Sequence, residues 1–368
     1  MTTAIVAGAV ANKAGHGGSA WVRMSWAEGL RCMGFDVLFV ERLDLSCERA
    51  RARRAFDAAM RHIGLTGSAA LLDGDAVHGM TREELLDRAA GAELLVNISG
   101  HLRDPGLVGA ARVKVFVDLD PGYTQVWAHD GHDVGLAGHD HYFTVGANIG
   151  TSRCSLPDAG VRWRPVRQPV VLDRWAASDA GFSRFTTVGS WRGAFGPIAY
   201  GGRTYGVKAH EFRRIAQVPR IAGVPCEVAL DIDPADAADR ELLEAGGWTL
   251  ADPGALADPG AFAAYVAGSG GELSAAQGVY VGTRSGWCSD RTVRYLASGR
   301  PAVVQDTGLG DSLALGEGLL AFSTPEEAAA AARAVAADHA RHRRAARALA
   351  EEHFAHDRAL APLLEAVT

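Results

Sequence analysis

The sequence lacks a basic surplus: over 368 residues, 37 Lys and Arg face 43 Asp and Glu, a formal charge of −6. Neutralising a phosphate backbone needs excess positive charge, so no nucleic-acid partner held by charge is expected. Cysteine is scarce, with only Cys32, Cys47, Cys154, Cys226 and Cys288. They are scattered and odd in number, and no two stand at a CxxC spacing. That excludes a zinc ribbon or a thioredoxin-like motif and reads as reduced thiols in a cytoplasm. Long apolar runs are missing as well. The stretch Ala4–Ala11 is too short to span a bilayer and has no basic flank, and the Ala-rich run Ala328–Ala337 is interrupted by Arg333. What remains is 48% hydrophobic and 22% charged, with enough apolar surface to offset the entropy lost on folding. At this length one core usually divides, so two domains are expected.

Short β-rich runs alternate with helical patterns from end to end. Strands are expected at Ala4–Val10, Val37–Val40, Leu94–Ile98, Val113–Val117 and Tyr142–Val145, then at Phe185–Val188, Glu227–Asp231, Gly278–Val281 and Ala302–Gln305. Helices are expected at Ser19–Met33, Cys47–Ile63, Arg82–Ala90 and Pro105–Ala110, then at Lys208–Gln217, Ala235–Ala245, Phe262–Ala267, Asp290–Ala297 and Glu326–Ala337. Such alternation predicts an α/β fold with parallel sheets covered by helices on both faces, in two similar domains. The first is expected over residues 1–168 and the second over 169–345. They are joined near the Pro165 and Pro169 stretch, where helix is disfavoured. The segment Ala337–Val367 is helical by pattern with no strand after it. Its end, residues 346–368, is expected to pack back on the first domain.

Two motifs could carry chemistry. The first, Asn12-Lys-Ala-Gly-His-Gly-Gly-Ser-Ala-Trp21, puts Gly17 and Gly18 at the start of a helix, where free N–H groups can meet an anion. Gly15, Gly17 and Ala20 also satisfy GxGxxA, with Glu41 ending the second strand as a ribose-binding acid. That keeps an NAD(P)-dependent oxidoreductase as an alternative. The second motif runs from Gly282 to Pro301. Ser289 or Asp290 caps a helix, Gly286 permits close approach to its mouth, and Arg284, Arg291 and Arg294 add positive charge suited to a diphosphate.

The order Gly-Gly, helix, Gly34-Phe-Asp-Val37 is similar to the N-terminal domain of GT-B glycosyltransferases. The run Tyr295-Leu-Ala-Ser-Gly-Arg-Pro301 resembles the helix, glycine and proline closing their donor site. Val188-Gly-Ser-Trp-Arg192 followed by Lys208 resembles the first strand and basic pair of their second domain. The resemblance implies two Rossmann-like domains with parallel sheets facing a cleft, and metal-independent sugar transfer, with no bound cofactor and with a nucleoside-diphosphate sugar of the UDP or dTDP type as co-substrate. The acceptor would carry a hydroxyl or amine. Arg192, Lys208 and Arg291 would neutralise the diphosphate at the helix mouth formed by Gly286 and Ser289. Gly17 and Gly18 would approach it from the other domain, and Asp290 would accept from ribose hydroxyls. Arg294 and Gly286 stand where many retaining members carry Glu. Ser285 precedes Gly286-Trp287 where inverting members acting on natural products often have His. The stereochemical outcome stays open, as do a sugar epimerase or a non-catalytic nucleotide-sugar-binding protein on the same scaffold.

Transfer also needs a base for the acceptor or a group stabilising an oxocarbenium-like transition state. His16, His101, Asp118 and Asp120 are the candidates, because they follow parallel strands at the edge where such sheets bind ligands. Asp118 and Asp120 fall on one face by strand alternation and require no metal. The histidines His129, His132, His139 and His141 read as a solvated loop cluster.

Overall fold

In the computed structural model, which describes residues 2–367, the alternation resolves into two main sheets. The first contains β1 (Thr3–Ala7), β2 (Asp36–Arg42), β3 (Ala69–Asp73), β4 (Ala76–His78), β5 (Ala92–Ile98), β6 (Val113–Asp118), β7 (His141–Thr144) and β8 (Trp163–Pro165), in the order β4-β3-β2-β1-β5-β6-β7-β8. Every neighbouring pair is parallel except the β3–β4 hairpin. Its helices are α1 (Gly17–Cys32), α2 (Arg49–His62), α3 (Arg82–Ala90), α4 (Pro105–Ala110) and α5 (Tyr123–His129). Both faces of the sheet are covered. In β1, Ala4 and Val6 join the core under α1, while Ile5 and Ala7 join a second core on the opposite face. That is the period-two alternation of a strand buried on both sides.

The second half starts with β9 (Phe185–Ser190), then a hairpin of β10 (Ile198–Tyr200) and β11 (Arg203–Tyr205). With β12 (Cys226–Asp231), β13 (Trp248–Leu250), β14 (Gly271–Ser274), β15 (Ala302–Gln305) and β16 (Leu319–Phe322), β9 forms an all-parallel sheet ordered β13-β12-β9-β14-β15-β16. Its helices are α6 (Lys208–Arg214), α7 (Val218–Ala222), α8 (Ala237–Ala245), α9 (Pro259–Ala267), α10 (Gly278–Gly282), α11 (Asp290–Ala297) and α12 (Pro325–Ala337). Two further helices, α13 (His339–His353) and α14 (His356–Val367), close the chain. In each sheet the strand order reverses beside the first strand, between β1 and β5 and between β9 and β14. Parallel sheets open a crevice at such switch points.

The C-terminal helix crosses back as expected. A Cβ placed on Gly29 of α1 would lie 3.0 Å from Leu360 and 3.1 Å from His356 of α14, so the two helices seat closely there and a larger residue would push them apart by a few tenths of an ångström. At the crossing, the Val170 amide donates to the Phe354 carbonyl at 2.8 Å, and the His356 amide donates back to the Val170 carbonyl at 3.0 Å. Among the described residues, no helix is long and apolar enough to cross a membrane.

Three local expectations are corrected. Gly278–Val281 is not a strand but the body of α10, and the sheet position belongs to Gly271–Ser274. Gly278 sits against the backbone of Gly206, where a Cβ would lie 2.7 Å from the carbonyl oxygen. The hairpin β3–β4 was not expected, because Ala69 and Ala70 have little β propensity. Trp163–Pro165 is not linker but edge strand β8, paired to β7.

Candidate active site

The first-domain wall is set by what happens when β1 leaves its sheet. The buried Glu41 carboxylate accepts from the amides of Val10, Ala11 and Asn12 at 2.8, 2.9 and 2.9 Å. It thereby pins a short turn that carries Lys13 to the cleft. Burial outweighs these donors and lifts the Glu41 pKa to about 7. Gly15, at φ +95, completes the turn. His16 then precedes α1. A Cβ on Gly17 would lie 2.6 Å from the Asp258 carbonyl oxygen and 2.7 Å from that of Leu256. One on Gly18 would lie 2.8 Å from the Phe262 ring. The glycine pair therefore lets the start of α1 press directly on the second domain. Trp21 reinforces the contact by donating its indole N–H to the Pro259 carbonyl at 2.8 Å.

The second-domain wall is built at the ends of β9 and β14. Glu272 is fully buried in β14 and accepts from Arg291 Nε at 2.6 Å, while Arg291 Nη1 donates to the Val188 carbonyl at 3.0 Å. Those two contacts hold the guanidinium at the cleft. Lys208 opens α6 beside it. Burial, then the Arg291 charge, pulls its pKa down to about 8. Ser289 caps α11 by accepting from the Arg291 amide at 3.2 Å, leaving Asp290 at the helix mouth.

Between these walls lies a cleft of about 430 Å³, lined by His16, Gly17, Gly18, Asp120, Lys208, Asp290 and Arg291 among others. Seven of the twelve residues assigned from the sequence to catalysis or donor binding thus converge. The other five lie elsewhere. Arg192 donates to both oxygens of Asp236 at 2.8 and 2.5 Å and is not part of the lining, because β9 runs on to Ser190 and carries the next turn outward. Ser289 faces a separate small hollow beside Ala275 and Gln305. Gly286 has φ +73 and packs on Asn148. His101 sits behind the cleft wall, where burial and then the Arg23 and Lys13 charges hold its pKa near 3.

Asp118 is fully buried. It accepts from Thr124 Oγ1 at 2.6 Å, Gln125 Nε2 at 2.8 Å, Thr144 Oγ1 at 2.7 Å and the Asp120 amide at 3.0 Å. Every lone-pair direction is used, so Asp118 fixes the turn on which Asp120 stands. Asp120 itself reaches the cleft, half-buried, and accepts from Tyr280 OH at 3.4 Å.

Sequence reading passed over Lys13, Arg23 and Arg51, which all line the cleft. Arg23 lies mid-helix in α1 and is only 5% exposed. Its one signal is Gly8, where a Cβ would lie 2.7 Å from Arg23 Cγ. Arg294 holds a different post. Fully buried, it donates to the Trp21 carbonyl at 3.0 Å and Ser25 Oγ at 3.1 Å, tying α11 to α1 across the domains. The dinucleotide reading loses its ribose acid, because Glu41 is spent on three backbone amides of its own domain.

No family model matches the chain, and no curated protein matches it. Solved structures do. An α-glucosyltransferase in complex with UDP and a 13-mer DNA containing a central A:G mismatch is 10% identical, with 100% of this chain and 99% of that one covered and a TM-score of 0.63. HepE from Anabaena, in complex with UDP and glucose, is 11% identical over 100% and 99% at 0.58. Sucrose-phosphate synthase from Thermosynechococcus elongatus is 12% identical over 100% and 98% at 0.55. With two Rossmann-like domains, a cleft between their switch points and a last helix returning to the first domain, this chain has the GT-B fold.

Proposed function

We propose that this protein transfers a sugar from a nucleoside-diphosphate donor, of the UDP or dTDP type, to a hydroxyl- or amine-bearing acceptor. The observation that carries the reading is the convergence of Lys208 and Arg291 at the mouth of α11, at the open edge of the second sheet. Two cations and a helix N-terminus make a diphosphate site. The full-length likeness to structures solved with UDP supports it. Residues 1–168 then serve the acceptor and 169–345 the donor, with 346–368 bracing the first domain.

In the reaction the bond between the anomeric carbon and the diphosphate oxygen breaks, and its electron pair leaves with the diphosphate. Lys208, Arg291 and the α11 amides stabilise that developing charge, the role a metal ion plays elsewhere. The acceptor oxygen forms the new bond and gives up its proton. Asp120, carboxylate toward the cleft on a turn held by Asp118, is the group we assign to receive it, with His16 as second choice. His101 at a pKa near 3 is too weak a base for that task at neutral pH and serves as a packing and polar support. Gly17 and Gly18 bring backbone amides to the phosphates, and Asp290 takes the ribose hydroxyls. Gly286 and Ser289 shape the helix mouth, while Arg192, paired with Asp236 outside the cleft, is left out of the donor site.

A thermal-shift screen with UDP, dTDP and GDP tests the reading. One nucleotide should raise the melting temperature, and Lys208→Met should weaken its binding at least about tenfold, the worth of roughly 1.4 kcal/mol of charge-assisted contact. Equal affinity in the variant would refute the assignment.

A further inference from the structure

The cleft holds more positive charge than a diphosphate uses, and that charge lies in two places. On the second-domain side are Lys208 and Arg291. On the first-domain side are Lys13 and Arg23, with Arg51 at the rim, where its Nη2 donates to the Ala14 carbonyl at 3.2 Å. Among the described residues neither Lys13, Arg23 nor Lys208 forms an ion pair. Arg23 is the most telling, since a buried guanidinium normally has its donors filled. Its Nη1 reaches only the Ser19 carbonyl at 3.3 Å, and its buried Nε has no partner.

The two groups stand on different walls of the cleft, Lys13 in the turn before α1 and Arg23 in the middle of α1, Lys208 and Arg291 at the starts of α6 and α11. The Lys13 pKa is drawn down to about 8 first by Arg23, its neighbour on the same wall, and then by burial. Lys208, after burial, responds to Arg291, Asp290 and Glu272. Asp290, at the mouth of α11, raises the pKa of both Lys13 and Lys208. The acids within reach of Lys13 and Arg23 are Asp120, Asp290 and Glu41. Glu41 is bound to backbone amides, and Asp120 and Asp290 form no ion pair with either cation.

Two unpaired cations side by side, one of them buried, wait for a compact dianion rather than a neutral hydroxyl compound. Resting on the glycosyl-transfer reading above, we infer that the acceptor is a phosphomonoester whose phosphate sits between Lys13 and Arg23 in the first-domain half of the cleft. Asp120 on the same wall is then left to the reacting hydroxyl. A polymer backbone fits less well, because Arg23 lies inside the cleft and not on a basic surface, and the chain is acidic overall.

Calorimetry on the full chain separates this inference from the donor assignment. The wild type is titrated with UDP, and the UDP-saturated protein is then titrated with inorganic phosphate. Phosphate should bind the saturated protein. Lys13→Met should weaken phosphate at least about tenfold while shifting UDP affinity by less than about threefold, and Lys208→Met should do the reverse. Lys13 is partly exposed and its folded pKa is lowered, so its variant should melt at or slightly above the wild-type temperature, which checks folding. If UDP-saturated protein takes up no phosphate, or if Lys13→Met costs as much UDP affinity as Lys208→Met, the inference fails and all the cations belong to the donor. Displacement of phosphate by a short DNA duplex would overturn it in favour of a polymeric acceptor. Phosphate binding without any UDP binding would leave the anion site standing and sink the donor reading instead.

Discussion

Lys208 should make nucleotide binding strongly pH-dependent in a range where the nucleotide's own phosphates no longer titrate. In the ligand-free cleft its pKa is about 8, lowered by burial and the neighbouring Arg291. A bound diphosphate supplies the missing counter-charge and returns the pKa toward or above its ordinary value. The bound state therefore holds more protons than the free state, and affinity is full below pH 8 and lost as pH rises through it. With a pKa of about 8, the charged fraction falls from roughly ten-elevenths at pH 7 to one-eleventh at pH 9. UDP affinity should thus drop about tenfold, or about 1.4 kcal/mol. At pH 8 about half a proton should be taken up per UDP bound, read as the slope of observed binding enthalpy against buffer ionisation enthalpy. Lys208→Met provides the baseline, since it keeps any titration of the nucleotide itself and should abolish the uptake. If wild type and variant show the same slope at pH 8, the diphosphate does not sit on Lys208.

The same lysine should cost the empty protein stability. Its folded pKa lies below the unfolded value of about 10.5, so the unfolded chain binds more protons between pH 8 and 10.5 and stability rises across that window. Ligand-free Lys208→Met should melt about 1–3 °C above wild type at pH 7 by calorimetry. Gly17→Ala drives a Cβ into two backbone carbonyls that cannot swing aside, and should lose about 1–3 kcal/mol in urea unfolding together with nucleotide affinity. Asp120→Asn should slow sugar transfer by about 10²–10⁴ with UDP affinity retained, whereas a loss of binding equal to the loss of rate would assign it to the donor. Glu41→Gln cannot accept three amide protons as the carboxylate does. It should destabilise the protein by about 1–3 kcal/mol in the same unfolding assay.

Much of the fold could be read because alternation of β-rich runs with amphipathic helices is a local property. Asp290–Ala297 and Ala302–Gln305 were placed to the residue. The failures have local causes too. Gly-Glu-Leu-Ser274 hides a central strand because its second residue is an acid, and it takes the distant Arg291, together with Ser274 Oγ, to make a buried Glu272 tolerable. Gly-Val-Tyr-Val281 looks more like a strand than the strand itself. The site was legible where a motif marks a chain turn, as at His16–Gly18 and Ser289–Arg291. It was hidden where single basic residues meet only in three dimensions. Lys13 and Arg23 are ten positions apart in sequence with nothing periodic between them, and Arg192 looked like a ligand until Asp236 claimed it.

The chain passes between the two halves twice, near Val170 and again near Ala355, and those passages are bonded to each other through Val170. Mechanically they form a single two-ply ribbon. Such a ribbon bends easily across its width but resists twisting and sliding, since either would shear the paired amides. Motion of the halves is thereby reduced to about one degree of freedom, an opening and shutting about the ribbon. Spin-label pairs placed at several points around the cleft should report distances that change together along one coordinate. Independent changes would mean that the ribbon had parted.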